Sequence, residues 1–278
     1  MARPMAILFT SGVRVDALTI DPARRAAAAF WTHRPARRVP AGRVLASTVL
    51  AATWPGALGL PIGAGAVAMG QRMELIPSGY GPGGAALLLT QAGHRTLIVG
   101  PTTRALVPRA ADRLVLCAPA QRAPEAPWLE RAQSGEASLR LVVPDGAAAA
   151  VVCDGLTEAG IAHFAPAWLT PRGPRARGAR VTVATGGQGV HIDARPQADE
   201  AWLVSLARFV GPEITFVHGP RADAVAAQLA AVGLATRVLH APKQMSLGGL
   251  DGSERRPPST GAPWRRLPVS EDEVRPEE

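Results

Sequence analysis

The chain has 278 residues, 47% of them hydrophobic and 4% aromatic, and carries a net charge of +8 with a pI near 11.1. That is enough apolar material for one large globular domain with a full core, or for two small ones. No apolar run approaches the roughly 18 residues of a membrane span, so a hydrophobic spanning helix is excluded.

In chain order, Met5–Phe9 and Val13–Ile20 alternate around Thr10-Ser11-Gly12 and predict a β-hairpin. Ala27–Trp31 reads as a buried strand and Arg43–Ala46 as another. Ser47-Thr48 is placed to cap a helix running to Trp54, which Pro55-Gly56 would end. Strands are expected at Val67–Ile76, Ala85–Gln91 and Thr96–Val99, the last two flanking a turn at Ala92-Gly93-His94-Arg95, and then at Arg113–Cys117. The pattern changes near Pro119. Strand-like Leu139–Val143 precedes a helical run, Ala147–Ala159, and Ala162–Phe164 follows. Pro171–Arg180 is a basic connector rich in structure breakers. Strands at Val181–Ala184 and Val190–Asp193, an amphipathic helix at Asp199–Val210, a buried strand at Ile214–Val217, a helix at Arg221–Val232 and a strand at Thr236–Leu239 complete the body. Strands first and αβ alternation later predict a layered α/β (α+β) fold. Residues 1–247 form the expected domain, and 248–278, rich in Pro, Ser, Arg and Glu, a disordered tail.

Lys243 is the sole lysine among 30 basic residues, a bias explained most simply by GC-rich coding rather than by a need for the arginine fork. Residues before Asp251 hold 25 basic and 15 acidic side chains, a body charge of +10. Such a body suits polyanionic partners, nucleic acid first, although a generically basic chain gives the same total. Cys117 and Cys153 lie in apolar runs without Cys-x-x-Cys spacing and read as buried free thiols of a reducing compartment. With no secretory leader at Met1–Ala6, a cytoplasmic location is expected. His94 reads as a solvated turn residue, and His163, His191 and His240 as strand residues rather than ligands. A Cys-His dyad between Cys153 and His163 near Asp145 finds no support in the spacing. Gly79–Gly84 reads as a flexible glycine turn rather than a phosphate cradle, because no Lys-Ser/Thr follows.

Thr32–Arg38 reads Thr-His-Arg-Pro-Ala-Arg-Arg, directly after a buried strand. It resembles the His-x-His-x-Asp-His metal loop of the metallo-β-lactamase superfamily, with His33 at the first His, Pro35 at the second, Arg37 at the Asp and Arg38 at the last His. Further landmarks follow in the order of that superfamily's nuclease branch, the bacterial DNA ligase-associated or mRNA 3′-end-processing exonuclease-like proteins. Asp21-Pro22 resembles the Asp-Pro before the metal loop. Ile76–Ala85 resembles Pro-Ala-Gly-His-x-x-Gly-Ser-Ala, with Tyr80, the only tyrosine, at the ligand His. Thr96–Gly100 resembles the strand ending in Gly-Asp, with Pro101 at the bridging aspartate. Gln197-Ala198-Asp199 with Trp202 resembles His-Ala-Asp-Trp without its His, and Phe216–Gly219 resembles Val-Thr-His-Gly with His218 kept. The likeness runs from Ile7 to Leu239 and implies an αββα sandwich.

By that resemblance His33 and His218 are remnant ligands of two different metals, while Pro35, Arg37, Arg38, Tyr80 and Pro101 are substituted positions. One imidazole per site does not hold zinc tightly, so the resemblance implies no bound metal, no cofactor and no catalytic residue. Arg34, Arg37, Arg38 and Arg43 are then candidate phosphate contacts at the mouth of the former pocket, turning a cutting site into a holding site, unless the loop simply drifted. The expectation is an inactive homologue that binds DNA or RNA or scaffolds an active nuclease, ligase or helicase, with no membrane role. The alternatives are a protein-interaction module without nucleic acid and a residual metal-dependent exonuclease or other hydrolase.

Overall fold

The computed structural model describes residues 6–35, 41–68, 70–119, 128–134, 138–166, 169, 180–192, 194–195 and 197–240. Two antiparallel turns open the chain: β1 (Ile7–Phe9) pairs with β2 (Val13–Val15), and β2 with β3 (Leu18–Ile20). The single hairpin expected from the sequence is therefore a three-stranded meander, because Asp16, at φ 51°, breaks the second run. From β3 the pairing turns parallel, through β4 (Ala26–Trp31), β5 (Ala41–Ser47) and β6 (Ala57–Leu60), giving one six-stranded sheet. Between the last two strands lies α1 (Thr48–Ala51). Ser47 caps it as expected, but the helix stops before Trp54.

A second, seven-stranded sheet has the order β17-β16-β11-β10-β9-β8-β7. Its strands are β7 (Gly65–Ala68), β8 (Gln71–Pro77), β9 (Ala85–Gln91), β10 (His94–Val99), β11 (Arg113–Cys117), β16 (Ile214–His218) and β17 (Thr236–Val238). The single strand expected at Val67–Ile76 is split in two, Gly70 sitting in the left-handed region at φ 73°. The β9–β10 turn is only Ala92-Gly93, both at positive φ, so His94 and Arg95 belong to the strand.

Both faces of the second sheet are buried, which explains the unbroken Ala85–Leu89 apolar run. Leu87, Leu89, Ile98, Val115 and Phe216 pack against Val15, Ile20, Phe30 and Leu45 of the first sheet. Leu88, Leu97, Val99, Leu114 and Leu116 face α4 (Glu200–Val210) and α5 (Ala222–Ala231) on the other side. The outer face of the first sheet carries a smaller cluster, Trp31, Ala46, Leu50 and Trp54, over α1. A mixed α/β architecture with stacked sheets and few helices results.

A third sheet stands apart, with the order β13-β14-β12-β15 and parallel pairing throughout. It comprises β12 (Leu139–Val142), β13 (His163–Phe164), β14 (Val181–Ala184) and β15 (Val190–His191), covered by α2 (Trp128–Gln133) and α3 (Gly146–Glu158) around a core of its own. The sequence reading missed β6 and α2. All described residues fall in the compact unit Met1–Pro242; Lys243–Glu278 is a separate unit, and the expected disordered tail lies outside the described residues. Among the described residues no helix is long and apolar enough to cross a membrane.

Candidate functional site

The positions singled out in the sequence lie where strands end. Asp21 follows β3, His33 follows β4, Tyr80 follows β8, Pro101 follows β10, and Cys117 and His218 are the last residues of β11 and β16. These strands run the same way within each sheet. The two sheets meet at this end: the Ala85 N–H donates to the Thr32 carbonyl at 2.8 Å, and a Cβ on Gly100 would lie 2.2 Å from Thr32 Oγ1.

A chain of polar groups begins at Asp21. Its carboxylate accepts the Thr32 N–H at 2.8 Å and the Thr32 hydroxyl at 2.5 Å. With that proton committed, Thr32 Oγ1 accepts from His33 Nδ1 at 3.0 Å, and the same nitrogen lies 3.7 Å from Asp21 Oδ2. Burial raises the Asp21 carboxyl pKa, and His33 and the Thr32 bonds oppose the rise. The His33 ring then meets Tyr80 edge-on, centroids 5.6 Å apart at 87°.

Tyr80 is 1% exposed, and its hydroxyl donates to Asp145 Oδ2 at 2.5 Å. The other oxygen of Asp145 accepts the Ala147 and Ala148 N–H groups at 3.0 and 2.9 Å, capping α3. Gln197 Nε2 lies 3.5 Å from the same hydroxyl. Burial, reinforced by the Asp145 charge, pushes the phenol pKa far up, so Tyr80 stays protonated and offers no phenolate to a cation.

The glycine loop that carries Tyr80 is not the flexible turn read from the sequence. Gly79, Gly81 and Gly83 all have φ between 70° and 77°. A Cβ on them would meet Thr103 Oγ1 at 2.2 Å, Ala147 Cα and Cβ at 2.9 Å, and Ser47 Oγ at 2.8 Å. Each glycine is thus required by a different neighbouring element, and several of the loop's N–H groups are spent internally, Ser78 on Gly84 and Gly84 on Gly81.

Cys117 and His218 are direct partners in the β11–β16 register, and both point to the inter-sheet side, two residues beyond Val115 and Phe216. Neither is activated. Burial lowers the His218 pKa to about 4, and its ring packs 5.8 Å from Phe9. Burial, then the nearby Asp21 charge, pushes the Cys117 thiol up to about 12. Burial and Asp154 push Cys153 to about 12 as well, and both cysteines are free thiols.

Of the four arginine candidates, Arg34 and Arg43 are described, and they stand apart. The Arg34 guanidinium donates to Thr53 Oγ1 beyond α1. Arg43 is exposed on β5 opposite Ala28, three residues short of the β4 end, and so about 10 Å back from the mouth. Arg37 and Arg38 lie outside the described residues, and Pro35 is described but offers no side-chain ligand. Among the described residues, no three His, Cys, Asp or Glu side chains are grouped to hold a metal ion. At these strand ends the Tyr80 phenol is held by Asp145 and Pro101 has no side-chain donor, so neither supplies a metal ligand.

Asp145 and Thr32 were not singled out for this site from the sequence. Asp145 before Gly-Ala-Ala-Ala carries an N-cap signature, but nothing local announces its partner Tyr80, 65 positions away.

No family model matches the chain, and no curated protein matches it. Among solved structures, a protein of unknown function from Enterococcus faecalis V583 superposes with a TM-score of 0.49 at 8% identity, over 76% of this chain and 79% of that one.

Proposed function

We propose that this chain is a degenerate member of the nuclease branch of the metallo-β-lactamase fold, an αββα sandwich whose metal pocket has become a structural junction. It works as a non-catalytic subunit that binds nucleic acid, or holds an active nuclease, ligase or helicase near it. One observation carries this reading: the Tyr80 hydroxyl, at the position of a ligand imidazole, is spent on Asp145, the cap of α3. A side chain locked into a buried bond cannot turn to a metal without breaking that bond and uncapping a helix. The nucleic-acid part rests on the basic body, +10 before Asp251.

The test is elemental analysis of the purified, tag-free full chain, followed by binding to labelled DNA and RNA over a salt series. Less than about a tenth of an equivalent of Zn, Mn or Fe is expected. Binding should weaken steeply with salt, and a quadruple Arg34/Arg37/Arg38/Arg43→Glu variant should lose affinity and flatten the salt slope. One or two equivalents of metal with phosphodiester hydrolysis would overturn the reading. Binding that ignores the four substitutions would move the contact to another basic surface, and absence of binding would leave a protein-interaction module.

A further inference from the structure

On the α3 side of the strand-end junction, a cavity of about 330 Å³ opens between the glycine loop and α3. It is independent of the nucleic-acid reading. One wall is a stripe of α3, Ala147, Ala150, Asp154 and Thr157, whose spacing puts them on one helix face. From Ala147 to Thr157 the stripe is about 15 Å long. Pro82 closes the wall near the helix start. The β12–α3–β13 connection is a parallel crossover, so β13 runs antiparallel to α3 and brings His163, its first residue, beside the helix's C-terminal half.

The cavity therefore has two unlike ends. Toward the helix start it is lined by Ala147, Ala150 and Pro82, with no charge among them. Toward the helix end it is lined by Asp154, which is exposed, Thr157 and His163. His163 is only 4% exposed, and its Nδ1–H donates to the Ile161 carbonyl at 3.0 Å. In the neutral ring that bond makes Nε2 a bare acceptor, and no described residue hydrogen-bonds to it. An acceptor without a protein partner, on a side chain that is otherwise buried, is open to a donor from a ligand. The helix C-terminus adds a partial negative charge at the same end. In a chain of net charge +8, a negative, acceptor-rich pocket stands against the global field.

The geometry points to a binding site for a small organic ammonium compound, its N–H donors at Asp154 and His163 and a short apolar body lying toward Ala150 and Pro82. A cavity of this volume is at the small end of ligand sites and suits a body of a few carbons. An anionic ligand is disfavoured by Asp154. A neutral alcohol has one donor to share between two acceptors.

Hexylamine, hexanol and hexanoate separate these cases by calorimetry at low salt, on the full chain. Hexylamine should bind with a dissociation constant on the order of 1 mM, the scale open to so few atoms. Hexanol should bind at least tenfold more weakly and hexanoate not measurably. Asp154→Asn changes an exposed side chain, and should weaken hexylamine about tenfold and leave the melting temperature unchanged. In ring ¹⁵N spectra, hexylamine should move the His163 Nε2 resonance and leave those of His94 and His191 in place. Absence of saturable hexylamine binding, equal binding of hexanol or hexanoate, indifference to Asp154→Asn, or a shift at other histidines would each overturn the assignment.

Discussion

Tyr80 shows how one side chain can decide what a pocket does. A hydrogen bond from a buried phenol to a carboxylate contributes about 1.5–3 kcal/mol, more than a neutral pair, because charge strengthens it and water cannot replace it. Tyr80→Phe keeps the ring and its edge-on contact with His33 but leaves Asp145 with only its two helix N–H donors. The variant should lose about 2 kcal/mol in urea unfolding. A loss below a few tenths would mean the bond does not hold the junction. His218 makes a second prediction at this scale. Its pKa falls from 6.5 to about 4 on folding, so between those values the unfolded chain binds the proton that the folded chain refuses. The neutral ring's contribution is fully present above pH 6.5 and is lost as pH falls toward 4, amounting at most to about 3 kcal/mol. His218→Gln should flatten the unfolding free energy over that window. A variant with the same acid slope as the parent would place the titrating group elsewhere.

Among the elements, the Ser78–Gly84 loop does the most to join parts of the chain. Gly81 sits at φ 77° with Ala147 against it, whereas Gly93 sits at φ 82° with open space where a Cβ would go. Alanine at Gly93 costs only the left-handed backbone, about 1 kcal/mol. At Gly81 the same substitution adds overpacking of about 1–3 kcal/mol against the first turn of α3. Thermal melts of the two variants should separate clearly, Gly81→Ala being the less stable. Equal losses would show that the loop yields. The contrast also marks what the sequence could tell. Strands with both faces buried, such as β9, and helices with side-chain caps, such as α4 under Asp199, were legible because period and cap chemistry are local. The split at Gly70 and the short strand β6 were not, since one glycine inside a longer strand-like run, or a stretch of only four residues, Ala-Leu-Gly-Leu, carries no distinct period. The strand-end positions could be picked out by motif order. What they do could not: Tyr80 needs Asp145 from the start of α3, and Gly81 reads as a flexible residue until Ala147 lies against it.

At the scale of the molecule, the small parallel sheet has a hydrophobic cluster that shares no residue with those around the two large sheets. Its attachments include the Tyr80–Asp145 bond, the Gly81–Ala147 contact and the Gly146 N–H on the Arg34 carbonyl at 3.3 Å, together with the chain connections at either end. Regions with separate cores and few shared bonds open independently. Leu141, fully buried at the centre of that cluster, is the place to test this. Leu141→Ala should cost about 2–5 kcal/mol, and the loss should fall on one region. In native-state hydrogen exchange, amides of β12, α3 and β14 should lose most of their protection while those of β9, β10 and β11 keep theirs. Adding Tyr80→Phe should widen the gap, because it removes a bond through which the large sheets steady α3. If every slow amide falls by the same amount in Leu141→Ala, the body unfolds as one unit. The strand-end junction would then be a weld between the small sheet and the large ones rather than a hinge.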